Sequence, residues 1–183
     1  MGESRKCDVL VVGAGPGGYV AGIRAAQLGL KTIVVEGDKA GGTCLIRGCI
    51  PSKAIIHAAE RFESLREHSS EGGHMGLSVS GKPEVDMAAL VSWKDDIVER
   101  LNKGVEGLLK GAGAELVKGW ATFEGPKSCN VETSDGTVGI EAENVLIATG
   151  SSHIDLPFMP CDEQVILSST GALDLDSLPK RVA

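Results

Sequence analysis

Apolar positions along the chain fall into runs of two kinds. Cys7-Asp8-Val9-Leu10-Val11-Val12 and Lys31-Thr32-Ile33-Val34-Val35 are short, β-branched and almost unbroken, the composition of strands buried on both faces. Between them, over 17–28, Ala, Ile and Leu return at helical spacing and Gly29 stands where a helix ends in a left-handed residue. A strand, a helix and a strand within about 30 residues make the two strands parallel. A second helix is predicted over 44–66, followed by a Gly- and Ser-rich loop over 68–84 with a short strand at 77–80. Over 85–110 the residues Met87, Leu90, Val91, Ile97, Val98, Leu101, Val105, Leu108 and Leu109 recur at three and four, giving the clearest amphipathic helix. Strand-like runs follow at 115–117, 120–123, 129–133 and 137–140, with a hairpin turn at Ser134-Asp135-Gly136. Another buried strand is predicted over 144–148, ending in Thr149-Gly150, after which Pro157, Pro160 and Pro179 thin the pattern. The fold class is α/β: a Rossmann-like domain with a parallel sheet and a β-meander insertion.

Composition narrows the function classes. A length of 183 residues suits one domain, or one domain and a remnant. With 42% hydrophobic and 23% charged residues the chain is neither disordered nor fibrous. Glycine is abundant, 25 residues, with no Gly-X-Y period, so it serves turns and close backbone approaches. Aromatic residues at 3% and a net charge of −7 argue against a nucleic-acid binder. No apolar run approaches the roughly 18 residues of a membrane span. The six residues before Cys7 leave no room for a targeting peptide, and Met1-Gly2 lacks the hydroxyl at position six of a myristoylation start. The expectation is a cytoplasmic protein with no membrane partner. Five cysteines, an odd and sparse set, do not make a secreted disulfide framework.

Two constellations carry chemistry. Gly13-Ala14-Gly15-Pro16-Gly17-Gly18 fits G-x-G-x-x-G between a strand and a helix. The first glycine allows the tight turn, the second lets the backbone approach a pyrophosphate, and the third lets helix and strand pack closely. The helix N-terminus offers its N–H groups to the anion. Glu36 ends the second strand 18 residues past Gly18, where an acid accepts hydrogen bonds from an adenosine ribose and disfavours a 2′-phosphate. The second constellation is Gly41-Gly42-Thr43-Cys44-Leu45-Ile46-Arg47-Gly48-Cys49-Ile50-Pro51-Ser52-Lys53. Two cysteines entering a helix are placed for redox work, because a helix N-terminus stabilises a thiolate. Lys53, four residues past Cys49, shares its helix face. Zinc needs about four ligands; only His57 lies near this pair, so no metal is expected. Inert burial remains the alternative for the pair, and Cys7, Cys129 and Cys161, alone in the sequence, are read that way.

Residues five apart on a regular helix have Cα atoms about 8.6 Å apart, beyond the roughly 4.4–6.8 Å of a disulfide. A redox pair at Cys44 and Cys49 therefore requires an irregular helix and a Cα separation under about 7 Å. Gly42, Gly48 and Pro51 permit that distortion.

Together the glycine turn 13–18 with Tyr19 and Val20, the block 41–53 and Ala148-Thr149-Gly150-Ser151 resemble the flavoprotein disulfide reductases over essentially the whole chain. Ser52, where glutathione-specific members tend to have Lys, favours the lipoamide branch. Trp93-Lys94-Asp95 and Gly119-Trp120-Ala121 look like the form serving branched-chain 2-oxo acid dehydrogenase complexes. The resemblance implies FAD as the bound dinucleotide. Gly13, Gly15 and Gly18 would hold its pyrophosphate and Glu36 its ribose, with Ala14, Pro16, Gly17 and Gly37 also at the FAD site. Gly42, Thr43, Cys44, Lys53, Ala121, Ala148, Thr149 and Gly150 would complete the site. Cys44 would be the thiol that exchanges with dihydrolipoamide, borne on an acyltransferase lipoyl domain. Cys49 would face the flavin, with Lys53 beside the ring's reactive nitrogen. The dithiol would reduce the cysteine disulfide, the disulfide FAD, and FAD would pass hydride to NAD⁺.

The chain departs from the family at Ile46 and Arg47, where Asn and an aliphatic residue are usual, which bears on redox tuning. Family members continue through a nicotinamide-binding domain and a dimerisation domain bearing a His-Glu base. Residues 1–150 are then the FAD-binding domain with its cysteine pair, and 151–183 a linker opening a truncated nicotinamide domain, incomplete for turnover alone. The four histidines, His57, His68, His74 and His153, match no part of that base and are read as surface or packing residues. A stand-alone flavin or thiol-redox module, or a mercuric- or glutathione-type reductase, is the alternative.

Overall fold

The computed structural model describes residues 3–69 and 75–183, so His74 lies outside the described residues. Two compact units emerge, one from Met1–Ile46 with Glu99–Ser152, the other from Arg47–Val98 with His153–Ala183.

The first unit is built on a six-stranded sheet. Its strands are β1 (Glu3–Val12), β2 (Thr32–Glu36), β3 (Glu115–Lys118), β4 (Trp120–Gly125), β5 (Ser128–Thr133) and β6 (Gly136–Ile147), in the order β3-β2-β1-β6-β5-β4. β3, β2, β1 and β6 run parallel, whereas β6, β5 and β4 form an antiparallel meander. The β-branched runs are explained by burial: Leu10, Val12, Ile33, Val35 and Val117 share one core with Cys129, Val131, Val138 and Ile140. Helix α1 (Pro16–Gln27) lies against the other face. A methyl group added at Gly22 would fall 2.6 Å from Val34 Cγ2, so only glycine admits that approach.

The meander differs from its sequence expectation. Strands at 137–140 and 144–148 are one strand, β6, which pairs with β5 at one end and with β1 along nearly all its length. Alternation continues through the apparent gap: Ala142 is buried while Glu141 and Glu143 face solvent and pair with Lys6 at 2.9 Å and Lys127 at 3.6 Å. The hairpin stands as expected. Thr133 pairs with Gly136, and the Thr133 hydroxyl donates to Gly136 O at 2.7 Å.

In place of one helix over 44–66 there are two, α2 (Gly42–Arg47) and α3 (Cys49–Ser69), interrupted at Gly48. The restart puts Pro51 within the first turn of α3, where its missing N–H leaves no helical bond unmade. Ser52 donates its backbone N–H at 3.0 Å and its hydroxyl at 2.7 Å to Gly48 O. Among the described residues no strand of more than an isolated bridge forms at 77–80. Instead Val79 N–H reaches back to His68 O at 2.9 Å. The amphipathic helix α4 spans Met87–Ala112, and Asp86 caps it by accepting Ala89 N–H at 2.9 Å.

The second unit holds a short helix missing from the sequence reading, α5 (Ser169–Leu173), capped by the Ser168 hydroxyl accepting Thr170 N–H at 3.1 Å. Lys94 of α4, fully buried, donates to Leu173 O at the end of α5 at 3.0 Å and pairs with Asp174 and Asp95. Burial lowers the affinity of this ammonium for its proton, but hydrogen bonds and charge from Asp174 and Asp95 outweigh it, holding the pKa above 10.5.

Candidate functional site

The glycine turn closes on the sheet's carboxyl end. Gly13 N–H extends the strand pairing to Val35 O at 2.8 Å, and Ala148 N–H does the same to Val12 O at 2.8 Å. Gly13 takes φ +99°, and a Cβ there would stand 2.3 Å from Ala148 O and 3.1 Å from Thr149 Cα. Gly18, on the first turn of α1, is pressed closer still: a Cβ would lie 1.8 Å from Gly13 O. Gly15 is the N-cap with extended backbone, Pro16 occupies the first helical turn, and no side chain caps the helix. The first-turn donors of α1 are thus offered outward, as an anion site requires.

The second glycine turn docks on the first. Gly41 N–H donates to Ala14 O at 2.8 Å. Gly42, at φ +61°, comes so near that a Cβ would meet Gly15 Cα at 2.5 Å. Two backbones bare of side chains therefore meet at one edge of the turn, where a Cβ on Gly42 would strike Gly15, and with the α1 N-terminus they form a cradle. The donor set and the cradle fit a dinucleotide pyrophosphate.

Glu36 at the end of β2 ties down the turn through two backbone donors. Its Oε2 accepts Ala14 N–H at 2.7 Å and its Oε1 accepts Asp38 N–H at 2.9 Å. An ionised carboxylate has about four acceptor positions, so room for a ribose hydroxyl remains while Glu36 fixes the turn. Gly119 N–H reaches Glu36 O at 2.9 Å, and the Trp120 ring, 70% exposed, lies over Gly37, where a Cβ would meet Cε3 at 2.6 Å. Ala121 is half-buried against the core, and Thr149 and Gly150 are exposed after β6. Trp120 is absent from the sequence-derived site; the glycine at 37, after Glu36, is what admits its ring there.

The cysteine pair divides between the units. Thr43 and Cys44 lie on α2 in the first, Thr43 exposed and Cys44 half-buried. Cys49 is exposed and opens α3 in the second, with exposed Lys53 one turn on. A helix of 21 residues presents its positive end at Cys49. The interruption at Gly48 means that the two cysteines do not share one regular helix. Cys7 and Cys129 are core residues whose thiols burial pushes up, as inert cysteines should be.

Comparison with known proteins gives the chain's relatives. The chain is 50% identical to a dihydrolipoyl dehydrogenase of Pseudomonas aeruginosa over 183 residues, all of this chain and 39% of that one. It is 47% identical to the mitochondrial dihydrolipoyl dehydrogenase of Dictyostelium discoideum over 177 residues, 96% of this chain and 36% of that one. The chain thus spans well under half the length of these relatives. A solved structure of the HOCl-induced flavoprotein disulfide reductase RclA from Escherichia coli shares the fold, with TM-score 0.74 at 24% identity, covering 94% of this chain and 35% of that one. The pyridine nucleotide-disulphide oxidoreductase profile matches residues 7–183. With the glycine turn, the paired cysteines and nearly every residue inside that match, the chain belongs to the pyridine nucleotide-disulphide oxidoreductase family.

Proposed function

We propose that the chain is the FAD-binding part of a dihydrolipoyl dehydrogenase, acting in dihydrolipoamide + NAD⁺ → lipoamide + NADH + H⁺. The observation that carries this reading is the docking of Gly42 on Gly15, which ties the turn before Cys44 to the pyrophosphate cradle. Residues 1–150 form the FAD-binding domain and 151–183 lead into the nicotinamide domain. The α1 N-terminus and the bare glycine backbones hold the pyrophosphate. Glu36 holds the ribose while keeping Ala14 in place. Ala148, Thr149 and Gly150 bound the cradle on the β6 side. Bound FAD supplies a two-electron acceptor that a dithiol can reduce and that can pass hydride onward.

Cys44 and Cys49 carry the thiol chemistry. The Cys44–Cys49 disulfide accepts two electrons from dihydrolipoamide through a mixed disulfide at Cys44, releasing lipoamide and leaving both cysteines reduced. Lys53, one turn past Cys49, places a positive charge on the same helix face. The substrate is carried on the lipoyl domain of an acyltransferase, of the branched-chain type, and the intact enzyme is a homodimer in a reducing compartment, the cytoplasm. Among the described residues no helix is long and apolar enough to cross a membrane.

Mass spectrometry tests the thiol roles. With the chain reduced and then exposed to lipoamide, Cys49→Ser should retain one lipoamide as a mixed disulfide on Cys44, while Cys44→Ser should retain none. An adduct on Cys49 instead, or equal capture of oxidised glutathione, would remove the assignment.

A further inference from the structure

Cys161 stands alone in the sequence but not in the fold. Pro157 begins a reversal in which Met159 N–H donates to Leu156 O at 2.9 Å and the two residues form an antiparallel bridge. The reversal lays Cys161 beside Asp155, whose Oδ1 accepts Cys161 N–H at 3.1 Å. His153, two residues before Asp155 in the same irregular segment, brings Nε2 to 3.6 Å from the same Oδ1. The imidazole nitrogen, the carboxylate oxygen and the thiol sulfur all lie within 4.8 Å of one another.

We propose that His153, Asp155 and Cys161 bind one zinc ion per chain, with water in the fourth position. Zinc bonds of about 2.0–2.3 Å in a tetrahedron put ligand atoms roughly 3.3–3.6 Å apart. The present spread closes to that by rotation of His153 and Asp155, whose side chains are 55% and 52% exposed. The donor set selects the ion. One carboxylate is too few oxygens for calcium or magnesium, whereas thiolate with imidazole suits a borderline cation. Charge balances too, since one thiolate and one carboxylate neutralise Zn²⁺. The neighbouring acids are otherwise engaged: Asp162 accepts three backbone N–H groups, from Gln164, Val165 and Ile166, and Glu163 accepts Ser168 N–H. The bond from Cys161 N–H orients Asp155, as groups behind metal ligands do. This site departs from the sequence expectation of no metal.

The test uses the 183-residue chain with Cys44→Ser and Cys49→Ser, which removes the competing thiol pair. Freed of metal by chelator, it should take up one Zn²⁺ per chain in equilibrium dialysis, undisturbed by excess Mg²⁺. Co²⁺ as a stand-in should give a thiolate-to-cobalt charge-transfer band. Adding Cys161→Ser should abolish the band. His153→Ala should weaken Zn²⁺ binding at least as much as the roughly 10–100-fold lost with a group that only orients a ligand. Both side chains lie outside every helix and strand, and circular dichroism unchanged from the parent establishes that the fold is kept. Absence of the band, its survival in Cys161→Ser, or unchanged affinity in His153→Ala overturns the site.

Discussion

Within the turn 13–18, neighbouring glycines carry opposite constraints. A Cβ at Gly18 would sit 1.8 Å from a backbone oxygen, whereas at Gly17 it would meet nothing within 4 Å. Gly18→Ala should therefore destabilise the chain by more than about 2 kcal/mol, the upper part of the overpacking range. Gly17→Ala should be neutral or stabilising by up to about 1 kcal/mol, the helical gain of alanine over glycine. Urea unfolding of the two variants checks the contrast. Glu36→Gln keeps a side-chain oxygen for one backbone donor but gives up the second, so FAD affinity should fall more than stability does. Dialysis and unfolding on the same variant separate the two. The tight turn at Gly13, the close packing at Gly18 and the acid ending β2 were legible in the sequence because each follows from a fixed spacing. The hydrogen bond from Ala14 to Glu36 was not, because Ala14 N–H lies 22 residues away and only the parallel pairing of β1 and β2 brings it near.

At the scale of elements, what the sequence could not show was continuity. β6 looked like two strands because Glu141 and Glu143 flank a single small apolar residue, and α2 and α3 looked like one helix because Gly48 alone does not forbid helix. α5 escaped because five residues hold no periodicity; it is held by Lys94 from far along the chain. Asp174→Ala leaves that buried ammonium with Asp95 and Leu173 O alone and should cost about 1–3 kcal/mol. Lys94→Met should cost less, since an apolar side chain of similar length replaces a buried charge rather than orphaning it. The folded pKa of Lys94 is raised above 10.5, so its contribution is complete below that pH and is lost as pH rises through the folded value. Stability measured from neutral to strongly alkaline pH should fall more steeply in the parent than in Lys94→Met.

For the whole molecule, both glycine turns and Glu36 lie within one unit, formed by Met1–Ile46 and Glu99–Ser152, although the sequence covers only 39% of a relative with which it is half identical. Fold class and family were readable because the glycine turn, the cysteine block and the βαβ pattern are local. The division into units was not, since each is assembled from two separated stretches of chain. The central claim is that the bare backbones at Gly13, Gly15, Gly18 and Gly42 hold FAD. Equilibrium dialysis of the 183-residue chain against FAD and NAD⁺, beside Gly42→Ala, tests it most directly. FAD should bind the more tightly, and Gly42→Ala, strained at φ +61° and set against Gly15, should weaken it by roughly tenfold or more, about 1.4 kcal/mol. Tighter NAD⁺ binding, or FAD affinity unchanged in Gly42→Ala, would contradict it.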